Sequence, residues 1–471
     1  MRSVLENVLV PLALLAVPLV AGACTEAQSD DPSNEDAVRS VERAALGKAL
    51  PYVPDTTLAA RAPDLAKSQK ARREVAWKAL AKILKDVNTS ERAVRVNGRR
   101  IKIPLFRTWY QKDDFERMFG KAYGDYTPAQ RKSRLPFSNT VISSTFDWNG
   151  KDRGSWTEQA YFDRIRQVDT RKEAQGLAGN ARVSYSPGFI SHTMKNYGIL
   201  TKCMRGQIAD NPTLDLNPTS NFAPCLDAEF PTDAAIFKAA WLRADFGGTV
   251  GVRPTTPDAI KDRRDGTIDN GGWGQGATEA TPDENSIFTV QLSDGANFRM
   301  PALHLITKEI REWLWITAWW SPDPNTDFGA DRPAEITALG GPWKNYKMCA
   351  VVTFNEQDPN PTGGYPTGPG SLGDALKAAY SGVGGPTWCS NQYIERGDRN
   401  AQTNCVGCHQ HAGTDLLSET VLADPVKFPK SGNTKVRKNF RTDYTFALTG
   451  PSEGLAAVQD NLVQHYDSVD R

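Results

Sequence analysis

Two cysteines and a histidine lie within five residues towards the end of this 471-residue chain: Cys405, Cys408 and His409, in the order C-x-x-C-H. Two thiols at this spacing can attach a haem through thioether bonds, and the adjacent imidazole can bind the haem iron. The sequence therefore predicts one covalent haem c. Cys405 and Cys408 are the predicted attachment residues, and His409 is the predicted proximal ligand of the iron.

Closely spaced cysteines also occur in zinc sites and in redox-active dithiols. A zinc site here would draw all four ligands from the seven residues between Cys405 and His411, a stretch too short to surround a tetrahedral ion. A thioredoxin-like dithiol requires C-x-x-C at a strand-to-helix turn, whereas residues 402–404 are typical of a loop. Both alternatives stay open, but the pattern favours haem.

The start of the chain is typical of an exported protein. Residues 8–20 are apolar, but this stretch is too short for a membrane span and contains Pro11 and Pro18, so we interpret residues 1–23 as a signal peptide of the lipoprotein type. Cys24 lies where bacterial lipoproteins carry the acylated cysteine. The alternative is ordinary cleavage after Ala23. The sequence thus predicts a periplasmic or cell-surface protein, held to the outer membrane by a lipid if Cys24 is acylated.

Four of the seven cysteines remain after Cys24 and the two motif cysteines are set aside. An even remainder in an exported protein indicates disulfides. Pairing neighbours closes the shortest loops, which predicts Cys203–Cys225 and Cys349–Cys389.

The composition limits the class of partner. The chain has 56 basic and 55 acidic side chains and a net charge of +1, so nothing in the charge favours a nucleic acid partner. Twelve tryptophans, 30 prolines and 38 glycines predict packed aromatic cores joined by long irregular connections.

The hydrophobic patterns predict an α+β protein in which a mixed upstream region with a β-sheet precedes a mainly helical haem-binding region. The predicted divisions are a flexible tether at 24–45, a mainly helical or irregular region at 46–245, a β-rich region at 246–370 and the haem-binding region at 371–471. Helices are expected at 64–87, 112–120, 233–242, 374–380 and 455–466. Strands are expected at 249–253, 286–293, 298–307 and 313–320.

Five stretches resemble, in the same order, a family of large, single-haem, bacterial exported cytochrome c proteins. They are RTWYQKDDFERMF at 107–119, FKAAWL at 237–242, ALHLITKEIREWLWITAWW at 302–320, NCVGCHQHAGTD at 404–415 and RTDYTFAL at 441–448. The resemblance extends from about residue 95 onwards. It implies haem binding and electron transfer, and it implies no particular substrate.

The sixth position of the iron is not assigned by the sequence. Small cytochromes c use a methionine downstream of the motif, but residues 410–471 contain none. The site is therefore either open or occupied by a histidine or an upstream methionine. The candidates are His304, His465, His192 and Met300, and each has an ordinary alternative role in the core or at the surface.

His304 is linked to the tryptophans of the neighbouring predicted strand. It alternates with Leu303 and Leu305 and should face away from them. Trp313, Trp315 and Trp319 should share one strand face, which is most simply a sheet core. If a haem packs against that face, His304 becomes the natural distal residue.

The sequence leaves three functional hypotheses. The first is electron transfer by a six-coordinate haem, with a redox partner protein or a small oxidant as partner. The second is a haem enzyme, peroxidase-like or oxygenase-like, or a gas-binding protein, with an open sixth position. The third is ligand or partner binding by the upstream region, with a merely structural haem.

Overall fold

A central antiparallel sheet organises the fold. The computed structural model describes residues 47–88, 95–96, 99–100, 102–152, 181–208, 224–244, 249–283, 285–291, 297–380, 382, 385–414, 418–424, 440–448 and 454–470. The described residues combine helices with this sheet, so the predicted α+β class is confirmed at that level. The predicted signal peptide, Cys24 and the whole predicted tether at 24–45 lie outside the described residues.

The strands are β1 (Asp86–Asn88), β2 (Arg95–Val96), β3 (Arg99–Arg100), β4 (Lys102–Pro104), β5 (Ala181–Tyr185), β6 (Ala235–Arg243), β7 (Val250–Val252), β8 (Thr278–Ala280), β9 (Thr289–Gln291), β10 (Asn297–Thr307), β11 (Leu314–Trp320) and β12 (Tyr346–Val351). The main sheet has the order β12-β11-β10-β6-β5, and β9 pairs with the start of β10. Its pairings are all antiparallel.

The α-helices are α1 (Leu58–Leu65), α2 (Gln69–Leu84), α3 (Lys112–Gly124), α4 (Pro128–Lys132), α5 (Asn139–Asp152), α6 (Pro187–Lys195), α7 (Tyr197–Met204), α8 (Pro257–Arg264), α9 (Ala334–Ala338), α10 (Leu372–Ala379), α11 (Cys405–His409), α12 (Ser418–Ala423) and α13 (Leu455–Val469). Among the described residues, no helix is long and apolar enough to cross a membrane.

Most of the predicted elements are present. The expected helix at 64–87 is formed chiefly by α2, whose first turn is capped by the Ser68 hydroxyl. Those at 112–120, 374–380 and 455–466 correspond to α3, α10 and α13. The four expected strands correspond to β7, β9, β10 and β11.

One predicted helix is wrong. Residues 233–242 were expected to be helical because alanines at this spacing favour a helix, but the segment forms β6, between β5 and β10. Pairing along both edges and burial on both faces outweigh the small intrinsic preference of alanine. The predicted mainly helical region at 46–245 consequently supplies two strands, β5 and β6, to the main sheet.

Hydrophobic layers cover both faces of the main sheet. Alternate side chains of β10 and β11, such as Leu303 and Ile316, join the helix-side core, which includes Trp77 and Leu80 of α2. Trp315 of β11 joins the opposite layer. This motif-side core contains Trp313, Trp315, Trp319, Cys349, Val351, Trp388, Val406, Tyr444 and Leu455. The sheet therefore presents one face to the C-x-x-C-H motif.

Candidate functional site

The motif forms its own short helix, α11, on the motif-side face. The Asn404 side chain accepts hydrogen bonds from the amides of Val406 (3.1 Å) and Gly407 (3.3 Å), which caps the helix. A Cβ at Gly407 would lie within 3.2 Å of the Phe354 ring, so glycine allows the helix to pack closely. Cys405, Cys408 and His409 are therefore held within one helical segment.

Both predicted disulfides are present. Cys203 pairs with Cys225 and Cys349 pairs with Cys389, with Cα–Cα distances of 5.9 and 5.7 Å. Cys405 and Cys408 take part in neither bond. Neither motif cysteine is therefore used in a described disulfide.

The imidazole of His409 has a defined orientation. Its Nδ1 lies 2.8 Å from the carbonyl oxygen of Tyr444, and because a carbonyl only accepts, Nδ1 carries the proton. Burial lowers the pKa of His409 to about 4, so the ring is neutral and Nε2 is unprotonated. An Nδ1–H bonded to a backbone carbonyl, with Nε2 left for a metal, is the usual arrangement of a histidine ligand.

Two aromatic rings lie beside the imidazole of His409. The indole of Trp315 lies 4.5 Å from the imidazole, and Phe446 lies 5.2 Å away on ring centroids. Trp313, Trp315 and Trp319 all belong to the motif-side core, whereas Leu314 and Trp320 belong to the helix-side core. The predicted common strand face is thus confirmed for Trp315 and Trp319, which lie on the motif side of β11. Trp313 itself precedes β11 and has a left-handed φ of 64°.

His304 lies on the same face as the motif. Leu303 and Leu305 point into the helix-side core, as the alternation predicts. His304 pairs with Lys238 of β6 and with Thr317 of β11 in the sheet register. The pKa of His304 is lowered well below its usual value, first by burial and then by the positive charge of Lys238, so the ring is neutral.

The Nε2 atom of His304 is buried and, among the described residues, has no hydrogen-bond partner. The nearest carboxylate oxygen, Oε1 of Glu395, is 3.7 Å away, beyond hydrogen-bond distance. A buried ring nitrogen without a partner is costly unless another group satisfies it. It is therefore a position where a bound group would gain an interaction.

Glu395 was not identified from the sequence. Burial raises the pKa of Glu395 to about 7, and its Oε1 lies 3.7 Å from His304 Nε2. The pKa of the Cys405 thiol is raised first by burial and then by the charge of Glu395. The amide of Asn391 donates to Glu395 (2.6 Å), and the Asn391 side chain donates to Thr317 of β11 (2.6 Å). The nearby Cys389 is bonded to β12. No spacing in the sequence relates Glu395 to His304. The two residues meet because the segment that follows Cys389 folds against β11 and β10.

The other candidates for the sixth ligand lie elsewhere. His465 is exposed on α13. His192 Nε2 donates a hydrogen bond to the Ala228 carbonyl (2.9 Å), because a carbonyl oxygen only accepts. Met300 lies in the helix-side core. His192 packs on Phe230 of the motif-side core, with ring centroids 4.6 Å apart, whereas His304 lies on the sheet itself, paired with Thr317 of β11.

The alternative chemistries are less well supported. Among the described residues, no group of three or more His, Cys, Asp and Glu side chains is arranged to hold a metal ion, as a zinc site built from the motif would require. A reactive dithiol needs a thiol of lowered pKa, whereas burial raises that of Cys405 well above its usual value. A haem iron takes four ligands from the porphyrin, so it needs no such group of side chains.

These residues fit a covalent haem. The donor set comprises two thiols and a neutral imidazole with a defined tautomer, the walls are aromatic, and the unpartnered His304 nitrogen faces the same layer. Comparison of the chain with models of protein families, with curated proteins and with solved structures gave no match. The assignment of the site therefore depends on its own residues and their geometry.

Proposed function

We propose that this protein is an exported c-type cytochrome that binds one covalent haem and transfers electrons. Cys405 and Cys408 attach the haem and His409 binds its iron, within a haem-binding region formed by residues 371–471. The observation that carries the proposal is the hydrogen bond from His409 Nδ1 to the Tyr444 carbonyl, because it leaves Nε2 as the metal-binding nitrogen.

The bound haem would supply reversible one-electron chemistry at its iron. The residues of the chain would set how readily that electron is gained. Trp315 and Phe446 cover part of the ring of His409 with apolar surface. A hydrogen bond to Tyr444 increases the basicity of the imidazole, which favours oxidised iron, whereas an apolar wall favours reduced iron.

His304 is the best-supported candidate for the sixth ligand. It is neutral and buried, it lies on the sheet face that carries Trp315, and its Nε2 has no hydrogen-bond partner among the described residues. A second histidine ligand would close the iron to external molecules, as an electron-transfer site requires. The partner would then be a redox protein or a small oxidant that exchanges electrons through the haem edge.

One observation favours a second function. Glu395 lies 3.7 Å from His304, and a buried histidine beside a carboxylate is a common acid–base pair in enzymes. If His304 stays off the iron, the sixth position is open, and the protein would be a peroxidase-like or oxygenase-like haem enzyme, or a gas-binding protein. His304 would then be a distal residue that holds or donates a proton.

The proposed location is the periplasm or cell surface, through a lipid on Cys24. Two disulfides support export, because they persist in oxidising compartments. Expression with labelled fatty acid tests the anchor: wild type should incorporate the label and Cys24→Ala should not. Label in neither protein would favour ordinary cleavage after Ala23.

The optical spectrum of the reduced protein, matured with a c-haem assembly system, tests the proposed function. A low-spin spectrum that carbon monoxide does not change would support two protein ligands and electron transfer. A shift on adding carbon monoxide would favour the open-site alternative. A protein without covalent haem would contradict both.

A further inference from the structure

Asp443 carries a buried carboxylate and directly precedes Tyr444, whose backbone carbonyl accepts the hydrogen bond from His409. Its Oδ1 accepts hydrogen bonds from Lys308 Nζ (2.7 Å) and from Trp313 Nε1 (3.2 Å), and its Oδ2 accepts one from the Phe230 amide (2.9 Å). The side chain of Asp443 is 0% exposed and that of Lys308 is 3% exposed. Three donors from other parts of the chain thus fix a single carboxylate.

Lys308 and Trp313 come from the same loop, which joins β10 to β11. The Trp313 amide donates to the Ile310 carbonyl (3.1 Å), and the Lys308 amide donates to the Ala234 carbonyl (3.0 Å), so both ends of the loop are fixed. β11 begins at the next residue, and Trp315 follows. One hairpin therefore supplies two donors to Asp443 and the aromatic wall of His409.

The backbone at Asp443 and Tyr444 is strained. The φ angles are 49° and 69°, which place two consecutive residues other than glycine in the left-handed region. Each such residue costs of order 1–3 kcal/mol and persists only where its surroundings impose it. The hydrogen bonds to the Asp443 carboxylate, together with the stacking of Tyr444 on Phe440 at 4.0 Å, provide that constraint.

This conformation directs the Tyr444 carbonyl towards His409. The carbonyl oxygen lies 2.8 Å from His409 Nδ1. If the backbone relaxed to negative φ, the peptide plane would rotate and this hydrogen bond would lengthen or break. The strength of the bond controls how strongly an imidazole donates electrons to a metal.

We infer that Asp443, held by Lys308 and Trp313, is a positioning residue that keeps the Tyr444 carbonyl against His409 and thereby lowers the reduction potential of the haem iron. This inference rests on the proposed function, since it requires His409 to be the proximal ligand. It adds a part of the site that lies outside the motif, in the β10–β11 loop and the turn at 440–445.

Two variants of the haem-loaded full chain test the inference. Asp443→Asn keeps the shape of the side chain and removes its charge. Trp313→Phe removes one donor and leaves every charge in place, so it separates positioning from electrostatics. Should Asp443→Asn fail to fold, Trp313→Phe decides the outcome alone. The readouts are the reduction potential and the NMR shift of the His409 Nδ1 proton in the reduced protein.

Asp327→Asn is a matched control. Asp327 is also buried, also has a left-handed φ (39°), and accepts a hydrogen bond from a buried lysine, Lys347, at 2.9 Å. It lies in the turn before α9, and its described partners do not include His409 or Tyr444. Asp327→Asn should therefore lower stability and leave the reduction potential and the His409 Nδ1 proton shift unchanged.

The inference predicts a higher reduction potential in both test variants and an upfield shift of the His409 Nδ1 proton. For Asp443→Asn, we expect about a tenfold rise in the ratio of reduced to oxidised haem at a fixed applied potential, which is about 59 mV for one electron. Unchanged potential and proton shift in folded, haem-loaded variants would overturn the inference, as would an equal change in Asp327→Asn. Wild type without haem would instead overturn the proposed function.

Discussion

The indole of Trp315 lies against the imidazole of His409, with ring centroids 4.5 Å apart and an interplanar angle of 53°. The indole is itself fixed, because its Nε1 donates to the Glu312 carbonyl at 2.8 Å. A residue of the central sheet therefore restricts the rotation of the motif histidine. The β10–β11 hairpin contributes directly to the site as well as to the core.

Trp315 can be compared with Trp320 on the same strand. Both indoles are buried and donate to a backbone carbonyl, but Trp320 belongs to the helix-side core. Replacement of either with alanine should lower the free energy of unfolding by about 3–5 kcal/mol. Only Trp315→Ala should also change the haem spectrum and the reduction potential. Equal spectral effects, measured beside thermal unfolding, would show that the contact with His409 has no special role.

His304 is compared with His465, which is exposed on α13. If His304 is the sixth ligand, His304→Ala should convert a low-spin haem to a form that binds carbon monoxide, because alanine cannot bind iron. His465→Ala should leave the spectrum unchanged. If the His304→Ala protein remains low-spin and does not bind carbon monoxide, His304 is not the sixth ligand.

The disulfide Cys349–Cys389 joins β12 to the segment that carries Asn391 and Glu395. Replacing both cysteines with alanine should lower the free energy of unfolding by about 2–5 kcal/mol and loosen the contact between Glu395 and His304. Removal of Cys203–Cys225 should cost stability in the same range but act elsewhere, because the Cys225 amide donates to the Arg441 carbonyl (2.8 Å) in the turn at 440–445. Chemical denaturation of both double variants across a range of pH tests this difference, because only the loss of Cys349–Cys389 should change the pH dependence of stability that Glu395 produces. An equal change in both variants would contradict the proposed role of the segment.

Glu395 should produce a specific pH dependence of stability. Burial raises its folded-state pKa to about 7, whereas an unfolded glutamate titrates near about 4.3. The folded state therefore holds an extra proton between these values, and the stabilisation is present below about pH 4 and lost as pH rises through about 7. Relative to wild type, Glu395→Gln should gain up to about 4 kcal/mol of stability across this interval. A pH-independent difference in denaturant unfolding would show that Glu395 titrates normally.

Local sequence patterns predicted much of what surrounds the site. The alternation of Leu303, His304 and Leu305 correctly assigned the two faces of β10. The even number of remaining cysteines and the preference for short loops gave both disulfide pairs. These predictions succeeded because side-chain alternation in a strand and the closure of short loops are local properties of the chain.

The parts that the sequence did not predict depend on distant contacts. Residues 233–242 form a central strand because they pair on both edges, which the alanine-rich local pattern does not encode. Tyr444 contributes a backbone carbonyl, which any residue possesses, and its position depends on the left-handed turn fixed by Asp443 and Lys308. The residue types therefore indicate neither the strand at 233–242 nor the hydrogen bond of the Tyr444 carbonyl to His409.

The most direct test of the central claim is the intact mass of the full chain after maturation with a c-haem assembly system. Wild type should carry the mass of one haem that survives denaturation. Cys405→Ser/Cys408→Ser should lose it while both disulfides, mapped by non-reducing digestion, remain. Wild type at the mass of the bare polypeptide, or an equal haem mass on the double variant, would contradict covalent attachment at these cysteines.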